Sequence, residues 1–261
     1  MDQGEARLWL IQKLKSENPV YSKVPVPADE QGQKDLLRIL MNVRMPKPIG
    51  SEFREVQDAY LRREAMLKGI VDADSLGSCG LDPRICLWQG DITRLRADAI
   101  VNAANSGMTG CYTPLHNCID NCIHSAAGLD LRWECYRIMQ KQGHEEPTGM
   151  AKITPGYCLP AKYVLHTVGP IVSGGLTEEH KDLLRSCYVS CLDLASENGL
   201  SNVAFCCIST GVFAFPADRA AEIAVQTVRS WLDSHAGSSV KRVIFNVFGD
   251  RDKAIYQSIL N

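Results

Sequence analysis

The sequence predicts an α/β domain built as three layers, with helices over both faces of a central sheet and a small helical unit ahead of it. Three observations carry that expectation. From residue 85 onward, short apolar runs alternate with helical patterns. Those runs, "AIVNAA" and "VAFCCI" among them, are apolar on consecutive rather than alternate positions, as strands covered on both faces are. Residues 1–80 carry helical patterns only. With 261 residues and 45% hydrophobic content, the chain can bury a full core.

In the N-terminal 80 residues, helical patterns at 5–16, 31–44 and 51–69 are separated by "NPVYSKVPVPADE" and "RMPKPIG". Proline lacks the backbone donor and clashes with the preceding turn, so both stretches stop helices. The segment "DADSLGSCGLDPR" then reads as a connector rich in turn formers. The α/β domain is placed at 81–261. Its strands are read at "ICLWQ", "AIVNAA", "YVLHTV", "VAFCCI" and "RVIFNVF", and its longer helices at 177–198, 216–234 and 251–260. Residues 110–128 lead into a further helix. No internal repeat or low-complexity tract is present.

A net charge of −2 supplies no global attraction to nucleic acid or anionic membrane. No apolar run approaches the ~20 residues needed to span a bilayer. The start, "MDQGEARLWLIQKLK", lacks the core and cleavage site of a signal peptide, so a cytoplasmic protein is expected. Eleven cysteines, odd in number and irregularly spaced, fit reduced thiols better than a disulfide framework.

In sheets of this type a ligand lies beyond the carboxyl ends of the strands, on the loops that lead into helices. Those loops are "QGDIT", "NAANSGMTG" and "STGVFAFP". Backbone amides at such turns, with the positive end of the next helix, suit a phosphate or diphosphate. Taken singly, each loop is equally a set of turn-forming glycines.

Taken together, "GDIT", "DAIVNAAN", "IDNCIHSAAG", "AKITPGYCLPAKYVLHTVGP" and "ISTGVFAFP" resemble, in order and spacing, the macrodomain family, and its MacroD-type branch of ADP-ribose hydrolases in particular. The resemblance covers about residues 85 to 260. It implies a mixed sheet and an ADP-ribose site. Asp91 and Ile92 match the adenine-holding positions, with a turn or helix cap as the other role of Asp91. Asn102 and Asn105 match the ribose-facing asparagines, whose amides donate and accept at once as a sugar diol requires. Ser209, Thr210, Gly211, Val212 and Phe213 match the loop around the diphosphate, Gly211 being assigned to close backbone approach. Phe248 stands either as a ring stacked on adenine or as a core aromatic. Asp120 matches the catalytic aspartate of that branch, a position where it could also cap a helix. His124 is read as a packing residue.

One departure from the common branch matters: where that branch carries a run of glycines, this chain has "CYTPLHNC". That loop resembles the zinc-dependent macrodomain class of microbes, often associated with sirtuin-type ADP-ribosyl transferases. Cys111, His116 and Cys118 supply two thiols and an imidazole within eight residues, a set of the kind catalytic zinc uses when a fourth position stays open. Spacing alone leaves zinc, a disulfide and a chance cluster all open. The resemblance implies Zn²⁺, one per chain, on Cys111, His116 and Cys118, with Cys122 in the core. Pro114 would stiffen the loop.

The resemblance therefore implies a zinc-dependent hydrolase that removes ADP-ribose from modified protein side chains, Asp120 and Asn105 being its catalytic residues. The alternative is a module that binds ADP-ribose without cleaving it, because one pocket serves both. An ADP-ribosylated protein is the implied partner, a lipoyl-carrier protein modified by a sirtuin-type transferase being one form of it. Residues 1–80 are expected either to stabilise the domain by packing on it or to select that substrate.

Overall fold

The computed structural model describes residues 1–261. Four helices come first: α1 (Gln3–Glu17), α2 (Pro19–Ser22), α3 (Glu30–Val43) and α4 (Ser51–Lys68). Local chemistry sets their ends. Asp2 and Glu5 form a reciprocal capping box at the start of α1, and Asp29 accepts from the Gly32 amide at the start of α3. Apolar faces of α1, α3 and α4 meet in a core of their own, around Leu10, Ile11, Leu37, Leu40 and Tyr60, which also takes in Leu129 from the domain beyond. The one-turn α2 was not expected.

The domain follows as β1 (Val71–Asp72), β2 (Ile85–Gln89), β3 (Leu95–Arg96), β4 (Ala99–Ala104), α5 (Ile119–Ala127), α6 (Leu129–Gln142), β5 (Ala151–Pro155), β6 (Tyr163–Val168), α7 (Glu178–Glu197), β7 (Asn202–Phe205), α8 (Ala217–Ser234), β8 (Arg242–Val247) and α9 (Asp250–Leu260). Six strands form the main sheet in the order β2-β8-β7-β4-β6-β5. Every neighbouring pair is parallel except β5 with β6, which makes the sheet mixed. The consecutive apolar positions of β4, β6 and β8 are buried on both faces, as helix layers above and below require. A separate two-stranded pairing, β1 with β3, joins the end of the helical unit to the domain.

Besides α2 and the two-residue β1 and β3, the sequence pattern does not mark β5 and α6. "VAFCCI" also ends its pairing at Phe205, so Cys206 and Cys207 open the next loop. All eleven cysteines are free, and no helix is long and apolar enough to cross a membrane.

Two staples hold α4 to α6. Arg54 makes a two-pronged ion pair with Asp130, at 2.8 and 2.9 Å. Gln57 Oε1 accepts the Leu129 amide at 2.9 Å, doing for α6 what an N-cap side chain would do.

Candidate active site

A cleft of about 1840 Å³ opens across the carboxyl ends of the parallel strands. Its floor and rim come from the loops after β2, β4, β7 and β8, and its far wall from α3 and α4 through Arg38, Met41, Tyr60 and Lys68. The helical unit is thus part of the cleft, a placement that no sequence signal marked.

At one end, Asp91 Oδ1 accepts from the Thr93 amide at 3.0 Å and from its hydroxyl at 2.6 Å, capping a short turn of helix. Its other oxygen faces Lys68 at 3.9 Å, so the capping role leaves half the carboxylate free for a ligand. Ile92 is buried beneath. Phe248 is 79% exposed on the rim, which excludes the core reading for that ring. Val212 is exposed beside the same cleft and Phe213 half-buried.

The loop after β7 owes its shape to residues other than the expected glycine. Left-handed backbone falls on Ser209 (φ 66°) and Ala214 (φ 55°), whereas Gly211 lies outside that region. Ser209 is buried with a hydroxyl that has no partner, and it approaches Gly169 so closely that a Cβ there would lie 2.1 Å from its oxygen. Thr210 Oγ1 donates to the Cys207 carbonyl at 3.1 Å.

At the other end sits Asp120, in the first turn of α5 and 5% exposed. The cap of that helix is Cys118, whose sulfur accepts from the Asn121 amide at 3.4 Å, so Asp120 is not the capping residue. Its carboxylate accepts from Asn102 Nδ2 at 2.8 Å and from Asn105 Nδ2 at 3.2 Å. Burial raises its pKa to about 6, against the lowering effect of Asn102, Arg132 and Asn105. Asn102 is fully buried and stands beneath Asp120 rather than on the cleft surface. Asn105 does line the cleft, and its amide spans Asp120, the Gly110 carbonyl (3.2 Å) and the Gly107 amide (3.0 Å). It therefore ties the carboxylate to the loop that follows.

On that loop the structure brings Cys111, His116 and Cys118 together, all three ligand atoms lying within 4.8 Å of one another. Cys111 Sγ is 3.6 Å from His116 Nδ1. A tetrahedral zinc ion, with bonds of about 2.3 Å to sulfur and about 2.0 Å to nitrogen, would separate such atoms by about 3.5 Å. Donor chemistry and spacing both fit zinc. Burial pushes the Cys118 thiol up to about 12, with the Asn121 amide opposing; a bound cation reverses that balance by deprotonating the thiol. Cys122 lies outside the group and contacts Arg38 instead. Gly110, at φ 85°, passes so near the His124 ring that a Cβ would come within 2.8 Å of it, so this turn into Cys111 admits glycine alone.

Beneath Asp120, His166 takes contacts from Asn102 (3.2 Å) and Thr154 (2.9 Å), and Cys135 lies 3.9 Å away. Burial lowers His166 to about 3 and, with His166 and Arg132 nearby, holds His124 well below its ordinary range. Both rings are neutral in the fold. The unfolded chain takes up these two protons as pH falls through about 6.5, so stability is full above that value and is lost toward lower pH. Asp120, raised by burial, contributes the opposite slope with a single proton. The thermal midpoint of metal-free protein is therefore expected to fall from pH 7 to pH 5, and to fall less in His166→Gln. Equal drops in the two proteins would remove His166 from the account.

Fold and site define a three-layer α/β/α protein with a large cleft on the strand ends and a loop at its edge that clusters two thiols and an imidazole. The Macro domain model matches residues 101–224. A protein-ADP-ribose hydrolase of Treponema medium is 54% identical over the whole of both chains. A Staphylococcus aureus protein of that name is 46% identical, over 99% of this chain and 96% of the relative. Among solved structures, the Trypanosoma brucei macrodomain in complex with ADP-ribose superposes with a TM-score of 0.67 at 32% identity, covering 83% of this chain and 93% of that one. A variant of the Oceanobacillus iheyensis macrodomain with ADPR gives 0.61 at 37%, covering 67% and 90%. The chain belongs to the macrodomain family.

The sequence did not mark Arg38, Asn42, Asn121 or Arg132, which hold the loop bearing Cys111, His116 and Cys118. Arginine and asparagine in amphipathic helices are ordinary surface residues by pattern, so only their tertiary contacts reveal them.

Proposed function

We propose that this protein is a zinc-dependent hydrolase that removes ADP-ribose from modified protein side chains. The observation that carries the proposal is the placing of Cys111, His116 and Cys118 on the loop that leads directly into the helix bearing Asp120, at one end of the cleft. The relatives named protein-ADP-ribose hydrolase support the same activity, and the structures with ADP-ribose support the ligand.

The cleft has the parts this reaction needs. Asp91 and Phe248 suit the adenine end, and the 209–213 loop suits the diphosphate. Asp120 is held by two amide donors, so one of its oxygens accepts a proton from water, or fixes that water, at the anomeric carbon of the distal ribose. Asn105 keeps the carboxylate at a set distance from the ligand loop. Zinc held by Cys111, His116 and Cys118 supplies a Lewis acid there, and two thiolates make the centre formally neutral beside an anionic ligand.

The resemblance extends the proposal to a lipoyl-carrier protein as the modified partner, and the eleven free cysteines favour a reducing compartment, the cytoplasm. Incubation with an ADP-ribosylated protein tests the activity. Free ADP-ribose is expected to appear, and to stop appearing on chelation. Ligand retained without release identifies a binding module instead.

A further inference from the structure

We infer that helix α3 of the N-terminal unit sets the shape of the metal-ligand loop, with Arg38 and Asn42 as positioning residues for His116; the inference rests on the metal reading proposed above. Between β4 and α5 the chain runs from residue 105 to 118 without regular structure. Few of its own backbone groups pair with one another, His116 with Thr113 at 3.2 Å being one such bond. Its shape is therefore imposed from outside.

The imposition is local to His116. Leu115, the preceding residue, sits at φ 55°, a left-handed conformation that a bulky side chain holds only under constraint. Asn42 Oδ1 accepts the Leu115 amide at 3.1 Å, and Arg38 Nη2 donates to the His116 carbonyl at 2.7 Å. The peptide groups on either side of the Leu115–His116 unit are thus clamped by one face of α3. Both clamps are themselves fixed. Asn42 is 1% exposed and donates to Ser125 at 2.9 Å, while Arg38 also donates to Asn121 Oδ1 at 2.9 Å.

Arg38 has a further effect. Its contact with Cys122 Sγ, at 3.7 Å, engages a thiol one helical turn beyond Cys118. Behind α3, the buried Arg132 donates to the carbonyls of Met41, Asn42 and Arg44 at 2.7–2.9 Å and to that of Thr109 at 2.8 Å. One guanidinium ties the end of α3 to the start of the ligand loop, so the clamp and the loop share a frame.

Groups that orient metal ligands without touching the ion commonly govern affinity by about 10- to 100-fold. Metal-free wild type, Arg38→Met, Asn42→Ala and Asn42→Asp would be titrated with Co²⁺, whose tetrahedral thiolate complexes absorb visibly, in competition with a chelator. Metal-free thermal midpoints would be recorded alongside. Arg38→Met and Asn42→Ala are expected to bind Co²⁺ about 10- to 100-fold more weakly with altered absorption. Asn42→Asp keeps an acceptor for the Leu115 amide and is expected to bind within a few-fold of wild type. Wild-type affinity and spectrum in Arg38→Met overturn the inference. If wild type itself shows no thiolate–cobalt absorption, the metal reading fails and the inference with it. Asn42 is buried, so if Asn42→Ala does not fold, the half-buried Arg38 position decides the matter alone.

Discussion

A Cys111→Ala protein is expected to purify without zinc and to release ADP-ribose at least about a hundredfold more slowly than wild type, with its fold intact. The fold survives because the ligand loop is anchored by groups other than its ligands. Arg132 donates to the Thr109 carbonyl, Asn121 to that of Thr113, Asn42 accepts from Leu115 and Arg38 reaches His116. None of these bonds uses a thiol. A small zinc finger, whose folding energy is its metal energy, behaves in the opposite way. Metal analysis, far-ultraviolet circular dichroism and the release assay on one preparation check all three parts. Undiminished turnover in chelated wild type would sink the catalytic metal, and loss of the fold in the variant would make the ion structural.

The second large effect is expected at Asp120. Asp120→Asn keeps the shape of the side chain but removes the proton acceptor, and a positioned general base contributes about 10²–10⁴-fold. ADP-ribose binding, measured by calorimetry, is expected to stay within a few-fold, since Asp91, Phe248 and the 209–213 loop, proposed for the adenine and diphosphate, lie elsewhere in the cleft. The substitution also has a structural cost. Asn102 and Asn105 both aim amide donors at the carboxylate, and the new amide can accept with its oxygen alone. One buried donor then faces another, a loss of about 1–3 kcal/mol that a lower thermal midpoint reads out. Turnover within threefold of wild type would remove Asp120 from the chemistry.

How much of the fold is legible in the sequence depends on where the information lies. The helix ends with local caps, at Asp2 and Asp29, fall within two residues of their expected places because the stopping signal is in the neighbouring sequence. Helix α6 was missed because its start lacks a local cap: Gly128 precedes it, and its cap is Gln57, 72 residues away. Strand β5 was missed because it is a short, half-buried edge strand that contains Lys152 and ends in Pro155, tolerable only where no further strand must be paired.

The site shows the same division. Asn102 and Asn105 share one motif, yet one ends under Asp120 and the other at the cleft, because β4 ends at Ala104 and the chain turns between them. Positive φ in the loop after β7 falls on Ser209 and Ala214 rather than on its glycine, and the close approach of Ser209 to Gly169 joins segments 40 positions apart.

The sequence by itself determined the layered α/β plan and the family, and put two thiols and an imidazole within eight residues. These are properties of periodicity and of short spacing, which neighbouring residues carry among themselves. Only the tertiary structure decided that α3 and α4 wall the cleft, that Arg38, Asn42 and Arg132 hold the ligand loop, and that Asp120 is buried against two amides. Those contacts join residues up to 91 positions apart, and a backbone carbonyl that accepts an arginine has no side chain through which a sequence could announce it.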